Sequence, residues 1–86
     1  MLKVLKFSAT WCPPCRMLQP IWDEVVDEVH DVAFEMVDID KDPGLARQYG
    51  ISAVPTMVFL KDDNVAATLM GLRSKQDILD TIDNLR

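Results

Sequence analysis

Apolar and polar residues alternate along this chain with rhythms that change from segment to segment. Leu2, Val4, Leu5 and Phe7 lie in a short stretch that runs into Ser8-Ala9-Thr10, which predicts a first strand ending just before two cysteines. From Pro14 to about His30, Leu18, Trp22, Val25 and Val29 recur at steps of four, three and four, with Ile21 and Val26 beside them. That is the stripe of an amphipathic helix. Pro13 and Pro14 suit its first turn, and Pro20 inside it predicts a kink, because proline lacks a donor and crowds the preceding turn. Val32 to Ile39 reads as a second strand, and Asp42-Pro43-Gly44 opens a short helix that ends at Gly50. Val54 to Leu60 and Val65 to Met70 read as strands joined by the polar turn Lys61-Asp62-Asp63-Asn64, hence antiparallel. Ser74 and Asp77 form a capping pair for a last helix that buries Ile78, Leu79, Ile82 and Leu85. The predicted order is β-α-β, short α, β-β-α. This is an α/β chain with a four-stranded mixed sheet flanked by about three helices.

Composition narrows the function classes. With 86 residues, 49% hydrophobic and 27% charged, the chain reads as one domain over residues 1–86 and not as a disordered segment. A domain of this size hides only roughly 60% of the surface its unfolded chain exposes, so its chemistry should lie near the surface. A formal charge of −5 argues against general affinity for nucleic-acid phosphate or anionic lipid. Met1 to Trp11 interleaves lysines with apolar residues and does not build the apolar region of a signal peptide. Val54 to Leu60 is far shorter than the roughly 20 residues that span a bilayer. The expectation is a soluble, cytoplasmic monomer that binds neither nucleic acid nor membrane.

The only two cysteines, Cys12 and Cys15, are too few for a disulfide framework and close enough to share one site. Where a strand hands over to a helix, the first lies near backbone donors and the positive end of the helix dipole, which favours its thiolate. Such a thiolate can attack a partner's disulfide, and the second thiol, one turn away, can displace the mixed disulfide. Competing readings are weaker. A structural zinc site needs four ligands, and the chain adds only His30, which reads as a solvated helix end. A structural bridge over so short a loop would restrict the unfolded chain little, and a pair of inert buried thiols is the third alternative. Asp38-Ile39-Asp40-Lys41-Asp42 invites a calcium-loop reading, which fails because Pro43 stands at the sixth position and Tyr49 at the twelfth. These residues read as a strand end and a helix N-terminus.

The segment Phe7-Ser8-Ala9-Thr10-Trp11-Cys12-Pro13-Pro14-Cys15-Arg16-Met17 resembles the active-site segment of the thioredoxin family. Pro20, Val37-Asp38-Ile39-Asp40, Tyr49-Gly50-Ile51, Val54-Pro55-Thr56 and Gly71 extend the resemblance over essentially the whole chain from Leu2. It implies a minimal thioredoxin fold and disulfide reductase chemistry, with Cys12 as nucleophile, Cys15 as resolving thiol and no metal or bound organic cofactor. It also implies a cis Pro55 beside Cys12. A cis X-Pro bond would let Val54 offer its backbone amide and carbonyl to an extended substrate. Trp11, Pro13, Val54, Gly71 and Leu72 would then form a flat apolar docking surface, while Trp22 belongs to the core. The implied partners are thioredoxin reductase, as reductant, and disulfide-containing protein substrates.

Several departures from the family pattern matter. The chain begins at the family's second strand, a size similar to glutaredoxins, which keeps a glutathione-dependent reductase as an alternative. A redox-independent binding subunit is the alternative from another class. Neither Pro13 nor Pro14 has a backbone N–H, so the donors nearest Cys12 must come from Cys15 and beyond, and the redox poise should differ from that of a Gly-Pro motif. Lys6 stands where the family has a buried aspartate. Either it faces the site and modulates the cysteine pKa values, or it snorkels to water through the gap left by the leading segment, which is the expectation. Arg16 reads as a solvated helix-surface cation.

Overall fold

Each strand of the sheet ends where its hydrogen-bonding partners end, and this shifts the expected boundaries only slightly. The computed structural model describes residues 1–86 and contains β1 (Leu2–Ser8), α1 (Pro13–Glu28), β2 (Val32–Asp38), α2 (Pro43–Gln48), β3 (Thr56–Lys61), β4 (Asn64–Met70) and α3 (Lys75–Leu85). The sheet order is β2-β1-β3-β4, with β1 parallel to β2, antiparallel to β3, and β3 antiparallel to β4. This is the mixed sheet that the residue pattern predicts. None of the helices is long and apolar enough to cross a membrane.

Helix α1 starts at Pro13, with both prolines in its first turn as expected, because proline is already set for the first helical position and needs no partner for a missing N–H. It stops at Glu28, with Val29 turning extended, so His30 lies beyond it, exposed. Pro20 lies within this helix. The third strand begins at Thr56 and not at Val54, since Pro55 has no donor for a ladder. At the hairpin, Lys61 and Asn64 form the last pair, leaving Asp62 and Asp63 as a two-residue turn with φ 50° and 68°. Aspartate tolerates this left-handed geometry, and both signs match the favoured two-residue hairpin turn. Ser74 caps α3, its Oγ accepting from Asp77 N–H at 3.1 Å, as the pattern predicts.

Two apolar layers sandwich the sheet. On one face Leu2 and Val4 of β1 meet Leu18, Trp22 and Val25 of α1, Met57 and Phe59 of β3, and Ile78 and Ile82 of α3. Trp22 packs edge-on against Phe34 at 5.4 Å between centroids, and its place in the core is the expected one. On the other face Leu5 and Phe7 pack with Val37, Val58, Leu60 and Ala46 of α2. Alternation along β1 thus feeds both layers, as a central strand requires.

That alternation places Lys6 on the α1 side, and the expectation that it snorkels to water is overturned. Lys6 is only 1% exposed; its Nζ donates to Gln19 Oε1 and lies 5.2 Å from the Trp22 ring centroid. A central strand covered on both faces leaves a lysine no route out, and α1 closes over it. Burial pushes its pKa below the ordinary 10.5, and the charge of Asp23 opposes that shift. The folded state therefore binds fewer protons than the unfolded one between the lowered value and 10.5, and stability rises with pH across that window. Below the window the full penalty applies. Lys6→Met should accordingly raise the unfolding free energy at neutral pH by on the order of 1 kcal/mol, and the urea midpoint with it, with the gain shrinking as pH approaches 10.5. Urea titrations at several pH values test this, and a Lys6→Met protein less stable than the parent at neutral pH would refute it.

Candidate active site around the Cys12–Cys15 pair

Cys12 is the residue at which β1, having ended at Ser8, becomes α1. Its backbone is extended (φ −99°, ψ 107°), and it occupies the N-cap position, where a side chain can accept from the first unpaired amides of the helix. Its Sγ accepts from Cys15 N–H at 3.2 Å. Pro13 and Pro14, in the first turn, contribute no amide, so Cys15 supplies the sulfur's donor, as the sequence requires. Cys12 and Cys15 are joined as a disulfide with Cα atoms 5.2 Å apart. Both are buried, at 3% and 5% exposure, in a small cluster with Ala9 that Ile39 and Val54 flank.

A second chain segment closes on the sulfur from β3. Cys12 Sγ lies 3.6 Å from Val54 O, close enough for a thiol S–H to donate to that carbonyl once the bridge is reduced. The Val54–Pro55 bond is cis. Pro55 O accepts from Gly71 N–H at 2.8 Å, and this bond holds the end of β4 beside the Val54 segment. Gly71 has φ +83°, a conformation that glycine adopts without cost.

The residues expected to form a docking surface differ in their accessibility. Trp11 is 62% and Leu72 43% exposed, Pro13 is exposed, and Val54 and Gly71 are half-buried. Pro55 is buried, so its carbonyl serves the site more than its ring. Trp11, Ile39, Ile51, Ala53 and Val54 line an open apolar hollow of about 320 Å³. Sequence reasoning missed Asp40, whose Oδ2 accepts from Trp11 Nε1 at 2.8 Å and ties the indole down. It also missed Met70, an exposed apolar residue directly before Gly71. The aspartate run divides its labour: Asp38 Oδ1 accepts from Asp40 N–H at 2.9 Å, and Asp42 caps α2 through Leu45 N–H at 3.1 Å. Arg16 is exposed, as expected, and donates to Thr10 O at 2.9 Å.

On the other side of the pair, Cys15 and Ala9 line an open hollow of about 200 Å³ together with the side chains of Ser8, Thr10, Arg16, Gln19 and Asp38. Of these, Gln19 also accepts from Lys6 Nζ. Cys12 thus lies against the Val54 carbonyl and the Ile39 and Val54 side chains, while Cys15 borders a hollow that several polar and charged side chains help to line.

Comparison with known proteins agrees with this geometry. The family model described as Thioredoxin matches residues 1–84. The chain is 37% identical over 82 residues to a thioredoxin of Chlamydia caviae, covering 95% of this chain and 80% of that one. It is 37% identical over 81 residues to thioredoxin 1 of Synechococcus elongatus, covering 93% and 76%. The solved structure of Fasciola hepatica thioredoxin superposes with a TM-score of 0.93 at 33% identity, over 99% of this chain and 81% of that one. A whole-chain family match and a cysteine pair at bonding distance on a helix N-terminus lead to one conclusion: this chain belongs to the thioredoxin family and is a disulfide oxidoreductase.

Proposed function

We propose that the protein is a thioredoxin-type electron carrier that reduces protein disulfides through Cys12 and Cys15 and is itself re-reduced by thioredoxin reductase. The observation that carries this reading is the environment of Cys12. Its sulfur sits at a helix N-cap, accepts one amide and faces the Val54 carbonyl, within an exposed apolar rim. Helix-terminal amides and the dipole favour its thiolate, which makes Cys12 the attacking sulfur. Trp11, Pro13, Val54, Gly71 and Leu72 supply the docking surface around it, and Pro55 holds the Gly71 segment against it. In the first step the Cys12 thiolate attacks one sulfur of the substrate disulfide and expels the other as a thiolate. In the second, the Cys15 thiolate attacks Cys12 Sγ, closes the intramolecular bridge and releases the substrate's remaining sulfur. Such a cycle calls for a reducing compartment such as the cytoplasm, and it works in a monomer.

Insulin-disulfide reduction tests the reading directly. With NADPH and thioredoxin reductase the parent should turn over faster than with glutathione and glutathione reductase. Cys12→Ser should lose at least about a hundredfold in activity, and Cys15→Ser should accumulate the mixed disulfide visible by mass spectrometry. A preference for glutathione, or turnover by Cys12→Ser, would count against the proposal.

The capping geometry also makes a prediction about the double proline. An N-cap side chain accepts from the second or third amide of the helix, and here the second is Pro14, which has none. Pro14→Ala restores that donor. The Cys12 thiol pKa should fall by roughly half a unit to one unit, as for one added bond to the thiolate. Thiolate absorbance followed against pH measures this, and an unchanged or raised value would exclude the donor argument.

A further inference from the structure

The five methionines of the chain differ in what surrounds them. Met57 is fully buried in the core, whereas Met1, Met17, Met36 and Met70 are exposed. Met36 is 58% exposed, close to the 61% of Met17 and Met70, and belongs to neither apolar layer of the sheet. It borders an open hollow of about 480 Å³ together with Gln19, Glu35 and Asp38, so small solutes reach it. One feature sets it apart from the other methionines. Its sulfur has a hydrogen-bond donor, Gln19 Nε2, 3.5 Å from Sδ.

The amide of Gln19 is held in one orientation by its two charged neighbours. Lys6 Nζ donates to Oε1, and Nε2 donates to Asp23 Oδ1 at 2.9 Å. An ammonium cannot accept and a carboxylate cannot donate, so together they decide which end of the amide carries the N–H groups. Turning the amide over would set its NH₂ against the lysine. The second hydrogen of Nε2 is therefore left for Met36, which pairs with Lys6 in the β1–β2 ladder and lies on the same face of the sheet. A thioether is only a weak acceptor. The structure thus aims a fixed donor at a group that makes poor use of it.

We propose that Met36 is a modification site for hydroperoxides and that Gln19 receives the product: the sulfoxide oxygen accepts from Gln19 Nε2 and adds a hydrogen bond between β2 and α1. A lone pair of Sδ attacks the distal oxygen of the hydroperoxide, the S–O bond forms and the O–O bond breaks. The proton of the transferred oxygen passes to the departing oxygen, which leaves as an alcohol, or as water when the oxidant is hydrogen peroxide. Sulfur is oxidised by two electrons and the peroxide is reduced by two. The flexible, unbranched side chain lets the new oxygen take the place of the sulfur at the amide. Oxidation of methionine ordinarily disrupts packing, because a polar group replaces an apolar one. Met36 has little packing to lose and a donor already in place, so its oxidation stabilises the fold.

Hydrogen peroxide treatment of the disulfide form tests this, since Cys12 and Cys15 are then protected by their bridge. Peptide mass spectrometry should find Met36 oxidised at a rate within about threefold of those of Met17 and Met70, and Met57 at least about tenfold slower. Urea unfolding is then compared before and after oxidation in a Met17→Leu, Met70→Leu background, with Met36→Leu added as the control for Met1. Oxidation of Met36 should lower the unfolding equilibrium constant by about threefold to tenfold, as for one net hydrogen bond, and should move one side-chain amide proton of Gln19 downfield in the NMR spectrum. Gln19→Glu keeps an acceptor for Lys6 and has no donor, so there oxidation should raise the constant. A Met36 as resistant to peroxide as Met57 overturns the inference. So does a constant that rises on oxidation with Gln19 present, a fall of equal size in Gln19→Glu, or a Gln19 amide signal that does not move.

Discussion

Cys12 has two structural duties that are met in one conformation: it is the last extended residue before α1, and its side chain caps that helix. Because capping requires Sγ to point at the helix amides, the sulfur is fixed at the positive end of the dipole whether or not a substrate is present. The rest of the site is assembled around this point by sheet register. Phe7 pairs with Val37 on one side and with Thr56 on the other. Thr56 directly follows Val54-Pro55, so the ladder that ends β1 also delivers the Val54 carbonyl to Cys12. The parallel ladder that carries Ser8 to Asp38 likewise brings Asp40 beneath Trp11. Catalytic placement here is a consequence of where a central strand stops.

Much of this frame was legible in the sequence because its signals are local. The helical stripe of Leu18, Trp22 and Val25, the Ser74–Asp77 cap and the polar hairpin turn each depend on residues close together in the chain, and each is found in the structure. The boundaries that moved did so through hydrogen-bond accounting that apolar patterns do not record. Proline delays β3, α1 stops at Glu28 short of His30, and Lys61 and Asn64 still pair where a turn was expected. The Trp11–Asp40 bond was not legible, since it joins residues 29 apart whose proximity exists only after β1 and β2 pair. Lys6 is a different case. Leu2, Val4 and Lys6 share a face by simple alternation, so the pattern did place the lysine inward; the preference of lysine for water argued the other way, and two-sided coverage of β1 overrode it.

The two sulfurs are sorted by what each can meet. Cys12 lies against Ile39 and Val54, which help to line the apolar hollow, and its sulfur faces the Val54 backbone carbonyl. Cys15 looks onto a recess of hydroxyl, amide and charged side chains, suited to water and too small for a protein segment. On the function proposed above this asymmetry is useful, because the attacking thiol must receive a macromolecule and the resolving thiol must only lose a proton and form one bond.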